Sequence, residues 1–334
     1  VIRADFTTIE HVCAVFGLTA DRRASITPVS RGAVGRIWRL DLGAESFAVK
    51  ELFRDADEGS VRREVAFAAH VAAAGIRRPA SLPDRGGRFL ARLPGHAGGG
   101  WLRLYQWIDG ESVDLANPRV PGQIGDLLGR MHATAVPPQG QADPWFETAP
   151  GPATWSLLAD AGTACGAQWA PALAQRTGLL RELAALVTPP ADDDQLITCH
   201  RDLHPGNVLV DASGELVLLD WDDVGPAVPG RELVRLLIDW LVRDGRADGA
   251  AVERTLGAYR AAGGQGRLPD ERSFSMHIAC LLNFLQAQAG VALDRAGAPE
   301  DRQYASAEVS DTLTRLPTAS LIAQLVGQAA LILG

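Results

Sequence analysis

Lysine is almost missing from this chain. Of 32 basic residues only Lys50 is a lysine and the other 31 are arginines. Codon usage in a GC-rich genome accounts for such a bias, and it leaves the one exception conspicuous. Cysteine is scarce as well: Cys13, Cys165, Cys199 and Cys280 form no CxxC and no metal-ligand spacing. That excludes a disulfide framework or a zinc site of ordinary spacing and predicts buried thiols in a reducing compartment. No apolar run reaches the ~18–20 unbroken residues of a membrane span. The nearest, Ile278–Leu293 and Leu321–Leu333, are short or broken by Gln and Asn and read as core helices. Val1-Ile2-Arg3-Ala4-Asp5 does not read as a charged n-region before an apolar stretch, so a cytoplasmic protein with no membrane partner is expected. Cationic excess is missing too: a net charge of −8 argues against a nucleic-acid partner held by phosphate neutralisation. There is no GxxxxGK[ST], so a Walker-type NTPase is not indicated.

What is present is a chain of 334 residues, 47% hydrophobic, enough for two domains or two lobes. Charge is unevenly spread. Residues 1–191 carry 20 basic and 19 acidic side chains, whereas 192–334 carry 12 and 21. Segments 26–30, 35–42 and 46–52 alternate like strands separated by Gly-containing turns, and 88–93 and 102–108 continue the pattern around a loop at Gly95–Gly100. One helix is expected over 60–74, where Val61, Val65, Ala68, Ala69 and Ala72 share a face and Gly75 stops it. After Gly110 the pattern is helical, interrupted by short strands at 196–199, 208–210 and 215–220. The order is a β-rich lobe over 1–105, a hinge at 106–110 and an α-rich lobe over 111–334.

The chemistry concentrates in His200-Arg201-Asp202-Leu203-His204-Pro205-Gly206-Asn207, followed thirteen residues after the Asn by Asp220-Trp221-Asp222. These sit at the ends of short strands, where an Asp, an Asn and a second Asp can converge. Phosphoryl transfer needs that set: a carboxylate to orient and deprotonate a hydroxyl, and hard oxygen donors for Mg²⁺. The wording resembles the kinase-like superfamily and, within it, the aminoglycoside phosphotransferase family of small-molecule kinases. That resemblance implies an α+β, bilobal protein-kinase-like fold with a small N-terminal antiparallel sheet plus helix and a larger, mainly helical C-terminal lobe. It implies Asp202 as catalytic base and Asn207 and Asp220 as metal ligands. Phe47-Ala48-Val49-Lys50 is similar to the V-A-I-K strand, so Lys50 would reach the ATP phosphates, braced by Glu64 on the following helix.

Ser30-Arg31-Gly32-Ala33-Val34-Gly35 fits a turn whose N–H groups, including those near Ser30, Gly32 and Gly35, could lie over phosphates; an ordinary hairpin would read the same way. The resemblance puts the interlobe hinge at Leu104–Gly110, with adenine held by backbone at Gln106 and Ile108. The chain departs from the family at Arg201, where Gly is common, and at Glu232, where an Asp opens a helix; the two are expected to pair. About ten residues separate Asp220 from that helix, leaving no room for an activation segment, so no protein substrate is expected. The implied reaction moves the γ-phosphate of ATP, with GTP as the other candidate, to a hydroxyl of a small molecule. An aminoglycoside or related antibiotic is the leading acceptor, with homoserine, choline or a sugar as alternatives and a pseudokinase as the competing class. The acidic back half favours a cationic acceptor, with general surface acidity as the other reading.

Overall fold

Alternating apolar and polar residues over 25–52 become three consecutive antiparallel strands in the computed structural model of the chain, which describes residues 5–53, 55–93, 100–140, 143–191 and 194–333. The glycine-rich loop expected at 95–100 lies outside the described residues except for Gly100. In chain order the first elements are α1 (Phe6–Phe16), β1 (Ser25–Arg31), β2 (Gly35–Leu42), β3 (Glu45–Leu52), α2 (Glu58–Ala73), β4 (Ser81–Leu82), β5 (Ala91–Arg92), β6 (Trp101–Gln106) and β7 (Gly110–Ser112). Then follow α3 (Val120–Ala133), α4 (Pro144–Glu147), α5 (Thr154–Ala164), α6 (Ala170–Ala185), β8 (Ile197–Cys199), β9 (Val208–Asp211), β10 (Leu216–Leu218) and β11 (Gly225–Ala227). Helices α7 (Pro229–Leu241), α8 (Gly249–Ala261), α9 (Ser275–Leu293), α10 (Pro299–Thr314) and α11 (Ala319–Leu333) complete the chain. Two compact units result, one of residues up to Val113 with Gly206–Val224, the other of Asp114–Pro205 with Gly225 onward. The segment Gly206–Val224, which the sequence places in the C-terminal lobe, packs with the first unit.

In the first unit an antiparallel sheet runs β1-β2-β3-β6-β4, with β5 also on β6. Because side chains alternate between faces of a strand, Phe47 and Val49 of β3 share one face with Leu102 and Leu104 of β6. Ile9, Val12, Cys13 and Phe16 of α1 pack into the same core. That helix is absent from the sequence reading, which allows one helix before residue 110. Its signals are nonetheless ordinary: a spacing of i, i+3, i+4, i+7, an Asp5 cap accepting from the Thr8 N–H at 2.8 Å, and Gly17 ending it at φ 74°. On the other face of β3 and β6 lie Lys50 and Arg103, directly opposite each other, next to the pair Ala48 and Tyr105. Helix α2 buries Val61, Glu64, Phe67, Ala68 and Val71.

The second unit is helical. Gly125 and Gly129, one turn apart on α3, let that helix meet the backbone of α8: a Cβ at either would fall 2.2 Å from the Thr255 carbonyl or 2.4 Å from that of Tyr259. The helical stretch Glu271–Leu293 is long and apolar enough to cross a membrane, but α9 within it buries eleven residues in this unit, as the core helix expected of Ile278–Leu293. Trp155 and Trp169 are buried with no hydrogen-bond partner for either indole nitrogen among the described residues, whereas Trp145 is exposed. Cys13, Cys199 and Cys280 are buried thiols, and Cys165, expected to be buried like them, is exposed.

His277 on α9 gives this unit a measurable acid sensitivity. Burial, which Asp239 opposes and Arg235 and Arg315 reinforce, brings its pKa down to about 4, and its Nε2 has no hydrogen-bond partner among the described residues. The unfolded chain takes up the proton near its usual pKa of ~6.5, so it binds more protons than the folded chain at any pH between the two values. Stability therefore falls as pH drops through that window, by about 3 kcal/mol at its lower end. Chemical denaturation of wild type and His277→Gln at pH 7, 5.5 and 4.5 should show the variant losing distinctly less stability on acidification. Parallel losses would contradict this.

Candidate active site

Lys50 lies on β3 with its side chain 6% exposed, and its ammonium sits 2.7 Å from Asp220 Oδ1 and 2.9 Å from Asp222 Oδ2. Burial pulls its pKa down, but the two carboxylates outweigh this and hold it above the ordinary lysine range. The brace expected from Glu64 is not the one formed. Both Glu64 oxygens accept from Arg103, Nη1 and Nη2 each at 2.7 Å, and Arg103 Nη1 also donates to Asp222 Oδ1 at 2.6 Å. The reason is geometric, since a planar guanidinium matches a carboxylate with two parallel bonds and an ammonium cannot. Burial pushes the Glu64 carboxyl up while Arg103 opposes it; the twin short contacts are those of an ionised pair. Two cations and three carboxylates thus share one face of the sheet. Removing either cation would leave buried carboxylates uncompensated, a loss of about 3–5 kcal/mol.

The two residues implied as metal ligands come from adjoining strand ends. Strands β9 and β10 pair with Leu218 opposite Val208, and the Leu219 N–H donates to the Asn207 carbonyl at 2.8 Å. Asn207, just before β9, is therefore a neighbour of Asp220, just after β10. Asp220 keeps 33% of its side chain exposed, against 13% for Asp222, whose oxygens both face cations. It also has φ 50°, an unfavourable left-handed conformation for a residue other than Gly. An amide oxygen and a partly open carboxylate are hard donors, and they fit Mg²⁺.

Asp202 belongs to the second unit, in the loop after β8, and α7 holds that loop from one face. Glu232 accepts the Arg201 N–H at 2.5 Å, Arg235 donates to the Arg201 carbonyl at 2.6 Å and to Asp202 Oδ1, and the Trp240 indole donates to the Leu203 carbonyl at 2.9 Å. Positions 232, 235 and 240 fall on one side of a 3.6-residue helix. Arg201 itself has φ 64°, so both of its peptide groups are pinned in a conformation that side chains resist. The pairing expected between Arg201 and Glu232 is formed by the Arg201 backbone. Its guanidinium instead lies 3.9 Å over the Phe146 ring and against Gly225.

Behind Glu232 stands His132, buried on α3. Its Nε2 is 2.7 Å from the Glu232 carboxylate and its Nδ1 is 2.8 Å from the Tyr259 hydroxyl, which accepts the Gly266 N–H. Burial acts to raise the Glu232 carboxyl, but the His132 hydrogen bond, the charges of His132 and His200 and the Arg201 N–H bring it down to about 2. The loop that carries Asp202 is thereby fastened to an ionised buried carboxylate.

The remaining predicted positions are located but less informative. Ser30 pairs with Ile37 near the end of β1, and the turn closes with the Gly32 N–H donating to the Gly35 carbonyl at 2.9 Å. Gly35 is required by a close approach, because a Cβ there would lie 2.6 Å from the Glu51 carbonyl. Gln106 ends β6 with its N–H given to the Ala80 carbonyl at 2.9 Å, which leaves its carbonyl as what it could offer a base; Ile108 lies two residues beyond, in the segment between β6 and β7. Arg103 and Arg235 are the residues that sequence reasoning missed. Each is one arginine among 31, and only the β3–β6 register or the α7 face distinguishes them.

The sequence profile described as the phosphotransferase enzyme family matches residues 25–273. A search of curated protein sequences returns no match. Among solved structures the chain is similar to spectinomycin phosphotransferase in complex with ADP and spectinomycin, at 15% identity over 98% of this chain and 99% of that one, TM-score 0.65. It is similar to an amicoumacin kinase in complex with AMP-PNP and Ca²⁺, at 18% identity over 93% of each chain, TM-score 0.60. A microcompartment-associated aminopropanol kinase matches at 16% identity over 99% of this chain and 100% of that one, TM-score 0.56. At these identities the likeness is one of fold.

Proposed function

This chain belongs to the phosphotransferase enzyme family, and from that premise we propose that it transfers the γ-phosphate of ATP to a hydroxyl of a small molecule, best an aminoglycoside or related hydroxylated antibiotic. The observation that carries the reading is the Lys50 ammonium held by the Asp220 and Asp222 carboxylates, with Asn207 beside Asp220 on the adjoining strand end. In this reading Lys50 receives the phosphates, and Asn207 and Asp220 hold Mg²⁺. The metal would supply neutralisation of phosphate charge. The backbone of the Ser30–Gly35 turn covers the phosphates, while the Gln106 carbonyl and Ile108 N–H take the adenine. Asp202, set by Arg235 and the Glu232-anchored loop, orients the acceptor hydroxyl and accepts its proton as the oxygen attacks in line.

Only residues 221–228 separate Asp220 from α7, which supports a small acceptor over a protein. A cationic acceptor accords with the acidic residues concentrated after 192, and a cytoplasmic location with the supply of ATP. A metabolite kinase is the second reading, favoured by the fold shared with an aminopropanol kinase. An ADP-release assay with Mg·ATP or Mg·GTP and a panel of aminoglycosides, spectinomycin, amicoumacin, choline, aminopropanol, homoserine and sugars tests both. Release well above the acceptor-free rate with one antibiotic class, and raised resistance of an expressing strain to it, is the expected result. Release only with an amino alcohol or a sugar moves the assignment to the metabolite reading. No release with any acceptor, while Mg·ATP binds, would make the protein a pseudokinase.

A further inference from the structure

We propose that Arg103 is a positioning residue of the nucleotide site: it takes the carboxylate of Glu64 and, through Asp222, sets where the Lys50 ammonium sits. The inference rests on Lys50 being the phosphate-binding lysine. Lys50 and Arg103 are cross-strand partners on one face of the sheet, and like charges so placed repel unless anions are interleaved. Three carboxylates do this, and their distribution is ordered. Glu64 gives both oxygens to Arg103, whereas Asp222 gives Oδ1 to Arg103 at 2.6 Å and Oδ2 to Lys50 at 2.9 Å. Asp220 then meets Lys50 from the other side at 2.7 Å. The ionic chain is Glu64, Arg103, Asp222, Lys50, Asp220. Arg103 is 2% exposed and its guanidinium lies 5.0 Å from the centre of the Tyr105 ring, so it has little freedom to release either carboxylate. With one oxygen on each cation, Asp222 acts as a bridge between them and not as a metal ligand.

Affinity for AMP-PNP, measured by calorimetry with and without Mg²⁺, tests the assignment on Glu64→Met, Arg103→Met, the double variant and Asp222→Asn, with thermal melting alongside. Glu64→Met should weaken binding roughly tenfold, because Arg103, left with Asp222 alone, draws it off Lys50; the double variant should recover to within about threefold of wild type. Asp222→Asn should weaken binding by the same factor whether or not Mg²⁺ is present. Should Glu64→Met melt below the assay temperature, Glu64→Gln takes its place in the cycle. A double variant as weak as Glu64→Met would overturn the proposal in favour of Glu64 bracing Lys50 directly, and an Asp222→Asn defect seen only with Mg²⁺ would make Asp222 a metal ligand. Failure of the wild-type protein to bind AMP-PNP at all would instead remove the functional reading on which the proposal rests.

Discussion

Asp202→Asn is expected to lower turnover by about 10²–10⁴-fold, the usual contribution of a positioned general base, while leaving Mg·ATP affinity close to that of wild type. The substitution keeps the shape of the side chain and removes its charge. The hydrogen bond that Glu232 accepts from the Arg201 N–H, and those that Arg235 and Trp240 donate to the Arg201 and Leu203 carbonyls and to Asp202 itself, fasten the loop at several points. They keep the loop in place in the variant, so the loss would be one of chemistry and not of folding. The cation of Arg235 beside Asp202 favours an ionised carboxylate, suited to orienting a hydroxyl until charge leaves it in the transition state. A loose phosphoryl transition state asks for little more than that. Single-turnover rates and nucleotide affinity of the two proteins decide the matter, and full turnover in Asp202→Asn would remove Asp202 from the mechanism.

Lys50→Arg is the second large effect, because it preserves charge and still should fail. Lys50 reaches its carboxylates from inside the sheet, and its Cε passes 3.8 Å from where a Cβ on Gly35 would stand. The compact ammonium fits there, whereas a planar guanidinium needs more width and points its donors in a fixed fork. If Lys50 binds the phosphates as proposed, displacing its cation by about 1 Å is enough to cost on the order of 10²-fold in kcat/KM. Steady-state kinetics of Lys50→Arg beside Lys50→Met measure it. An arginine variant near wild type would mean that charge alone is required at this position.

These two residues were legible because each carries a local signature: the single lysine ends an apolar strand motif, and Asp202 heads a run that closes on Asn207. Strands 35–42 and 45–52 and the helix over 58–73 were legible for a similar reason, since alternation and helical periodicity are read from neighbours in sequence. Helix α1 carries signals just as local in its Asp5 cap, its apolar spacing and its terminal Gly17. The partner of Glu64 was of another kind. Arg103 lies 39 residues further along the chain, and nothing in its immediate sequence separates it from the other arginines. Knowing that β6 pairs with β3, and in which register, is what places it opposite Lys50. The same holds for Arg235, whose meaning depends on the face that α7 turns toward the loop after β8. Asp222, two residues beyond the proposed metal ligand Asp220, was legible as part of the site but not as a bridge between two cations.

Phosphorus NMR of a reaction containing Mg·ATP and the acceptor that elicits ADP release tests the central claim most directly. A new phosphomonoester resonance on the acceptor is expected to grow in step with ADP in wild type and to be suppressed in Asp202→Asn. Growth of inorganic phosphate alone, or a phosphomonoester formed equally well by Asp202→Asn, would contradict it.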